Sequence, residues 1–131
     1  MNRNRPIALA TITTALLLLA LVACGGGGGA AASITPPPDA DATITAHDGS
    51  FDPTVLTLPA GKPTRLFFRN LDPAPHNVAI YTDASASHKL FVGDVVTDAA
   101  TVYDMPALDP GDYFFRCDVH TNMTGQVTVT R

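Results

Sequence analysis

The chain has 131 residues, 15% of them charged, with a formal net charge of −4. That length leaves room for one domain, and the acidic balance excludes the basic face that nucleic-acid binding requires. Every acidic residue is Asp, and the two cysteines are Cys24 and Cys117.

Residues 1–23 read as a targeting segment. Arg3 and Arg5 precede a run from Ile7 to Ala23 with no charge. The run is somewhat short for a membrane-spanning helix, which needs about 20 residues, and fits the apolar region of a signal peptide. It ends Leu21-Val22-Ala23-Cys24-Gly25, which resembles a bacterial lipobox. That resemblance implies that Cys24 becomes the lipid-modified first residue after cleavage; ordinary secretion and an uncleaved anchor are the alternatives. Without residues 1–23, six Lys/Arg stand against twelve Asp, a net −6. Gly25 to Gly29, three Ala and Ser33 form a flexible tether, stiffened by Pro36-Pro37-Pro38. The expected organisation is a signal peptide over 1–23, a tether over 24–41 and a folded domain over 42–131.

From Ala42 onward the hydrophobic pattern has a period of two, the mark of half-buried strands. Strands are expected at Thr43–Ala46, Thr54–Leu58 and Arg65–Phe68-Arg69, separated by Gly- and Pro-punctuated turns. A fourth runs from His76 to Tyr81, with His76, Val78 and Ile80 on one face. Residues 82–88 read as a loop or a brief helical turn. Leu90–Val92 and Val95–Thr97 read as strands split by Gly93-Asp94, and Thr101–Met105 as another. After a turn at Leu108–Asp112, two strands flank the last loop: Tyr113–Cys117 before it, and one carrying Val127 and Val129 after it. Seven or eight short strands with frequent turns predict an all-β sandwich or barrel.

The last loop carries the chemistry. Cys117-Asp118-Val119-His120-Thr121-Asn122-Met123 places a thiol, an imidazole and a thioether at three-residue intervals. These soft and borderline donors suit copper, and a His2Cys site with a long axial Met needs one more His from elsewhere. His76, opening its strand after a Pro-rich turn, is the best candidate. Strands at both ends of the loop would hold such a geometry firmly.

On these residues the chain resembles a cupredoxin, a small blue-copper domain. The Cys-x2-His-x2-Met spacing matches the short loop of amicyanin-like members, and the resemblance covers about Ala42 to Arg131. It implies a Greek-key β-sandwich with one type 1 copper held by His76, Cys117, His120 and Met123. It also implies that Asn77 braces the thiolate loop. The function implied is electron transfer between redox protein partners, with no catalytic residues, by a monomer tethered to a bacterial membrane and facing the periplasm or cell exterior. Copper storage or delivery on the same fold is the alternative.

Other readings weigh less. Zinc accepts Cys and His, but a thioether is a poor zinc ligand and structural zinc sites recruit more thiolates. A dinuclear copper centre needs a second Cys in this loop. A Cys–His nucleophile pair has its elements here but no oxyanion hole or substrate motif. A Cys24–Cys117 disulfide is rejected, since one Cys lies at the cleavage site and the other among ligand types. His47 and His88 read as exposed loop residues, although either could make a weak second copper site. Two positions depart from the family pattern. Thr121 stands where many relatives have Pro, and Asp118 directly follows Cys117, where a carboxylate aimed at the site would favour Cu(II).

Overall fold

The computed structural model describes residues 35–131; Cys24, the expected signal peptide and most of the tether lie outside the described residues. Nine strands follow in order: β1 Ala42–His47, β2 Ser50–Asp52, β3 Val55–Pro59, β4 Thr64–Asn70, β5 Ala79–Tyr81, β6 Lys89–Val92, β7 Ala100–Met105, β8 Gly111–Arg116 and β9 Thr124–Thr130. They form two sheets, ordered β2-β1-β4-β7 and β3-β9-β8-β5-β6. In each sheet one pair is parallel, β1 with β4 and β3 with β9. No helix among the described residues is long and apolar enough to cross a membrane. The chain is thus an all-β sandwich, with one or two strands more than the pattern predicts.

The period-two residues supply the core. Ile44 and Ala46 from β1, Leu66 and Phe68 from β4, Leu56 and Leu58 from β3, and Val127 and Val129 from β9 are all buried in one cluster. Full burial of each large aliphatic or aromatic side chain stabilises the fold by roughly 1.5–3 kcal/mol. β4 departs from strict alternation, because Phe67 is also buried but stands outside that cluster. It shares with Pro36–Pro38 and Val102 the wall of a cavity of about 460 Å³. Just before β1, the Asp41 N–H donates to the Arg65 carbonyl at 2.8 Å. The Asp41 carboxylate accepts from Lys62 Nζ at 2.6 Å and from the Arg65 N–H at 2.9 Å.

Three departures from the sequence pattern bear on the site. Ser50–Asp52, expected as loop, pairs with β1 as an antiparallel hairpin. Its turn is Asp48-Gly49, both at positive φ (51° and 68°), the backbone that a tight Asp-Gly hairpin turn needs. His76 to Val78, expected as strand, is not one: β5 starts at Ala79, and His76 makes a single bridge to Val96. Pro73 and Pro75 remove donors just upstream. That bridge is also all that forms of the strand expected over Val95–Thr97.

The loop between β8 and β9 lies at one end of the sandwich. These two strands pair from Gly111↔Val129 up to Arg116↔Thr124, so residues 117–123 span the end of a continuous ladder. Gly125 lies opposite Phe115 in that ladder. A Cβ there would come within 2.3 Å of the Phe115 ring and 2.5 Å of the Thr54 carbonyl oxygen, so no side chain fits.

Candidate metal centre

His76 is delivered by the loop after β4. Asn70, buried at the end of that strand, donates through Nδ2 to the carbonyls of Ala74 (2.7 Å) and Val96 (2.8 Å). Its Oδ1 accepts the Asp72 N–H at 2.9 Å. The bonds to Ala74 and Asp72 satisfy backbone groups in a Pro-interrupted turn that makes no strand pairing of its own. They turn the chain back so that His76 exchanges backbone bonds with Val96 at 3.0 and 2.9 Å. The His76 ring is only 2% exposed. Its Nε2 lies 3.0 Å from Asp72 Oδ2. The Asp72 carboxylate also accepts the N–H groups of Asp48 (2.8 Å) and Gly49 (3.0 Å). The Gly49 bond is the foremost of the bonds that hold this carboxyl below its ordinary range, against the opposing effect of burial.

Cys117 follows β8 directly and is fully buried. Its N–H donates to the Met123 carbonyl at 3.0 Å, and the Met123 N–H donates to the His120 carbonyl at 3.0 Å. The loop is therefore folded back on itself. The His120 N–H points at Cys117 Sγ, 3.4 Å away, a charge-assisted bond once the sulfur is a thiolate.

These elements bring three of the four expected ligands together. Cys117 Sγ lies 3.7 Å from His76 Nδ1. His120 Nδ1 lies 3.1 Å from the same nitrogen. One donor atom from each of the three falls within 4.8 Å of the others. Met123 is 2% exposed and lines, with His76 and His120, a cavity of about 260 Å³. Of the four, only His120 keeps partial exposure.

The donor set fits a transition metal on chemical grounds. If His76 carries its proton on Nε2, the nitrogen beside Asp72, its Nδ1 lone pair faces a second Nδ1 and a sulfur. Facing lone pairs at 3.1 Å repel unless a proton or a cation lies between them. Nitrogen at about 2.0–2.1 Å and thiolate at about 2.3 Å from one ion are themselves roughly 3–4 Å apart, the spacing found here. One thiolate and two imidazoles beside a thioether suit copper better than a hard cation.

Neighbouring residues hold the loop in place. Asn77, 2% exposed, accepts the Asp118 N–H through Oδ1 at 2.8 Å and donates through Nδ2 to the Gly93 carbonyl at 3.0 Å. The Asp118 carboxylate is turned to Tyr81, Lys89 and Arg116 rather than aimed at the donors, so the condition under which it would favour Cu(II) is not met. It takes hydrogen bonds from the Tyr81 hydroxyl, from Lys89 Nζ at 2.9 Å and from Arg116 Nε at 3.4 Å. Burial pushes the Asp118 carboxyl up, but those bonds outweigh it and the net displacement is downward. The same cations lie over the Tyr81 ring, Arg116 4.9 Å and Lys89 5.8 Å from its centre, a cation–π arrangement. His47 and His88 are outside the donor cluster found among the described residues. His47 is 60% exposed beside Asp48, and His88 is exposed.

Asp72 is the site residue that sequence reasoning missed. Its contacts come from residues 23 and 24 positions away; a carboxylate four residues before a candidate His was the one available signal.

A β-sandwich with one buried thiol and two imidazoles gathered at one end belongs among small metal-binding β-proteins. The chain is more narrowly placed by its sequence: a cupredoxin-like domain model matches residues 12–129, and the protein belongs to that family. No curated protein sequence matches it. Solved structures do. Amicyanin from Paracoccus versutus is 26% identical, with TM-score 0.57 over 76% of this chain and 90% of that one. Dithionite-reduced auracyanin from Roseiflexus castenholzii is 18% identical, with TM-score 0.59 over 69% and 96%. A purple cupredoxin from Nitrosopumilus maritimus is 24% identical, with TM-score 0.52 over 69% and 100%.

Proposed function

We propose that the protein is a membrane-tethered blue-copper electron carrier. It would hold a single copper through His76 Nδ1, Cys117 Sγ and His120 Nδ1, with the Met123 thioether as a weaker fourth donor. The observation that carries this reading is the convergence of those three donor atoms within 4.8 Å at the end of a rigid ladder. Bound there, copper supplies a one-electron Cu(II)/Cu(I) couple.

The chain's own contribution is to hold the donors still and dry. His76, Cys117 and Met123 are buried, and the backbone of the 117–123 loop is cross-bonded at both ends. Little rearrangement is needed when the charge at the site changes. His120 is the donor residue with partial exposure, so a partner's redox centre approaches nearest there. The net negative surface favours a partner with basic residues. Delivery of copper would require the donors to open readily, and burial of three of the four favours electron transfer over that role. The protein acts as a carrier, not an enzyme, exported and attached through a lipid on Cys24.

Two measurements test this. Electron self-exchange followed by NMR line broadening should be fast, while copper loss to a competing chelator should be slow. Rapid transfer to the chelator with slow self-exchange would favour delivery instead. Metabolic lipid labelling should mark the wild type and be lost in Cys24→Ala; equal labelling of both would remove the anchor from the account.

A further inference from the structure

We propose that Asp72 is a positioning residue for the metal centre. Its carboxylate fixes the His76 ring so that the proton sits on Nε2 and the Nδ1 lone pair faces Cys117 and His120. This inference rests on the copper reading above, but its first test needs no copper.

The geometry is that of a clamp with three donors. One Asp72 oxygen accepts the Asp48 N–H. The other accepts the Gly49 N–H and lies 3.0 Å from His76 Nε2. Asp48 and Gly49 both have positive φ, and successive N–H groups in such a turn converge on one anion. Asp72 is itself pinned through its N–H by Asn70 Oδ1. The carboxylate is therefore held from two sides, and the remaining direction points at the ring. An ionised carboxylate accepts and cannot donate, so the atom facing it must be the protonated nitrogen. The same pairing raises the basicity of the donor nitrogen, which favours the more highly charged Cu(II) over Cu(I). Through Asp72 the exposed β1–β2 turn is joined to a buried ligand 27–28 positions further along the chain (His76 from Gly49 and Asp48).

A purely architectural role, closing the loop after β4 onto the β1–β2 turn, would leave tautomer and metal preference untouched, and the experiment separates the two. In the full-length apo protein, above the imidazole titration range, side-chain ¹⁵N shifts should show His76 as the Nε2–H tautomer. In Asp72→Leu the Nδ1–H form should grow. Asp72→Asn keeps the size but loses the charge. It should remain folded and bind Cu(II) about 10–100-fold more weakly, the range usual for loss of a carboxylate behind a metal-bound His. The loss for Cu(I) should be about tenfold smaller, equivalent to a potential raised by ~59 mV. A wild-type His76 protonated on Nδ1 overturns the proposal, whatever the variants do. So does a folded Asp72→Asn protein with an unchanged Cu(II)-to-Cu(I) preference. If the wild type binds no copper, the copper reading fails and the tautomer measurement still decides the role of Asp72.

Discussion

Replacing Asn77 by Ala is a severe test of how the thiolate loop is held. The Asn77 amide is buried and bridges two backbone groups, the Asp118 N–H at 2.8 Å and the Gly93 carbonyl at 3.0 Å. Truncation leaves both without their partner. A buried group left unsatisfied costs about 1–3 kcal/mol. Gly93 is buried and should lie toward the upper part of that range. Asp118 is half-buried, so water can replace part of its bond and the lower part applies. Together they give a loss on the order of 3–5 kcal/mol, a large share of the roughly 5–15 kcal/mol typical of a domain. For a domain of this size, each kcal/mol lowers Tm by about 4–8 °C. Urea denaturation of the apo protein, so that metal affinity does not enter, is the assay. A loss below about 0.5 kcal/mol, the level of an ordinary surface substitution, would show that the bridge does not hold the loop.

Gly125→Ala should destabilise by about 1–3 kcal/mol, the usual effect of overpacking, because the new methyl meets Phe115 and the Thr54 backbone. An unchanged urea midpoint would contradict that close approach. Asp41 is held below its ordinary carboxyl value of 3.8, chiefly by the hydrogen bond from Lys62. Its stabilising effect is therefore present above that value and lost as pH falls through the lower folded-state value. The stability difference between wild type and Asp41→Asn should be flat near neutrality and shrink below about pH 4; a difference that grows on acidification would reverse the sign of the reasoning. At the metal centre, Met123→Gln should lower the reduction potential and Met123→Leu should raise it, because an amide oxygen favours Cu(II) and loss of the donor disfavours it. Voltammetry giving the Gln variant a potential at or above that of the Leu variant would show that Met123 is not the axial donor.

The parts of this fold legible in the sequence are those governed by local pattern. β1, β3, β4, β8 and β9 each carry inward residues at alternate positions, such as Leu56 with Leu58 and Val127 with Val129, and a period of two needs no knowledge of partners. The His76–Val78 stretch also alternates, yet fails to form a strand. Asn77, between the two inward residues, is buried as well, because its amide is bonded to the Asp118 N–H and the Gly93 carbonyl. Ser50–Asp52 was hidden by turn-forming residues on either side, although Asp48-Gly49 is itself a hairpin signal. The Cys117, His120 and Met123 spacing was readable because all three lie on one loop. The direction of the Asp118 side chain was not, since it is set by Tyr81 and Lys89 on other strands. Asp72 escaped for the same reason, its role arising from a turn far away in sequence.

Binding of one copper by Cys117 and two imidazoles has a direct spectroscopic signature. One equivalent of Cu(II) added to the purified protein should give an intense visible sulfur-to-copper charge-transfer band that saturates at that equivalent. Cys117→Ser should lose the band, and His76→Ala should keep some copper affinity without the parent spectrum. A colourless wild-type complex, or a Cys117→Ser variant with the same band, would contradict the assignment.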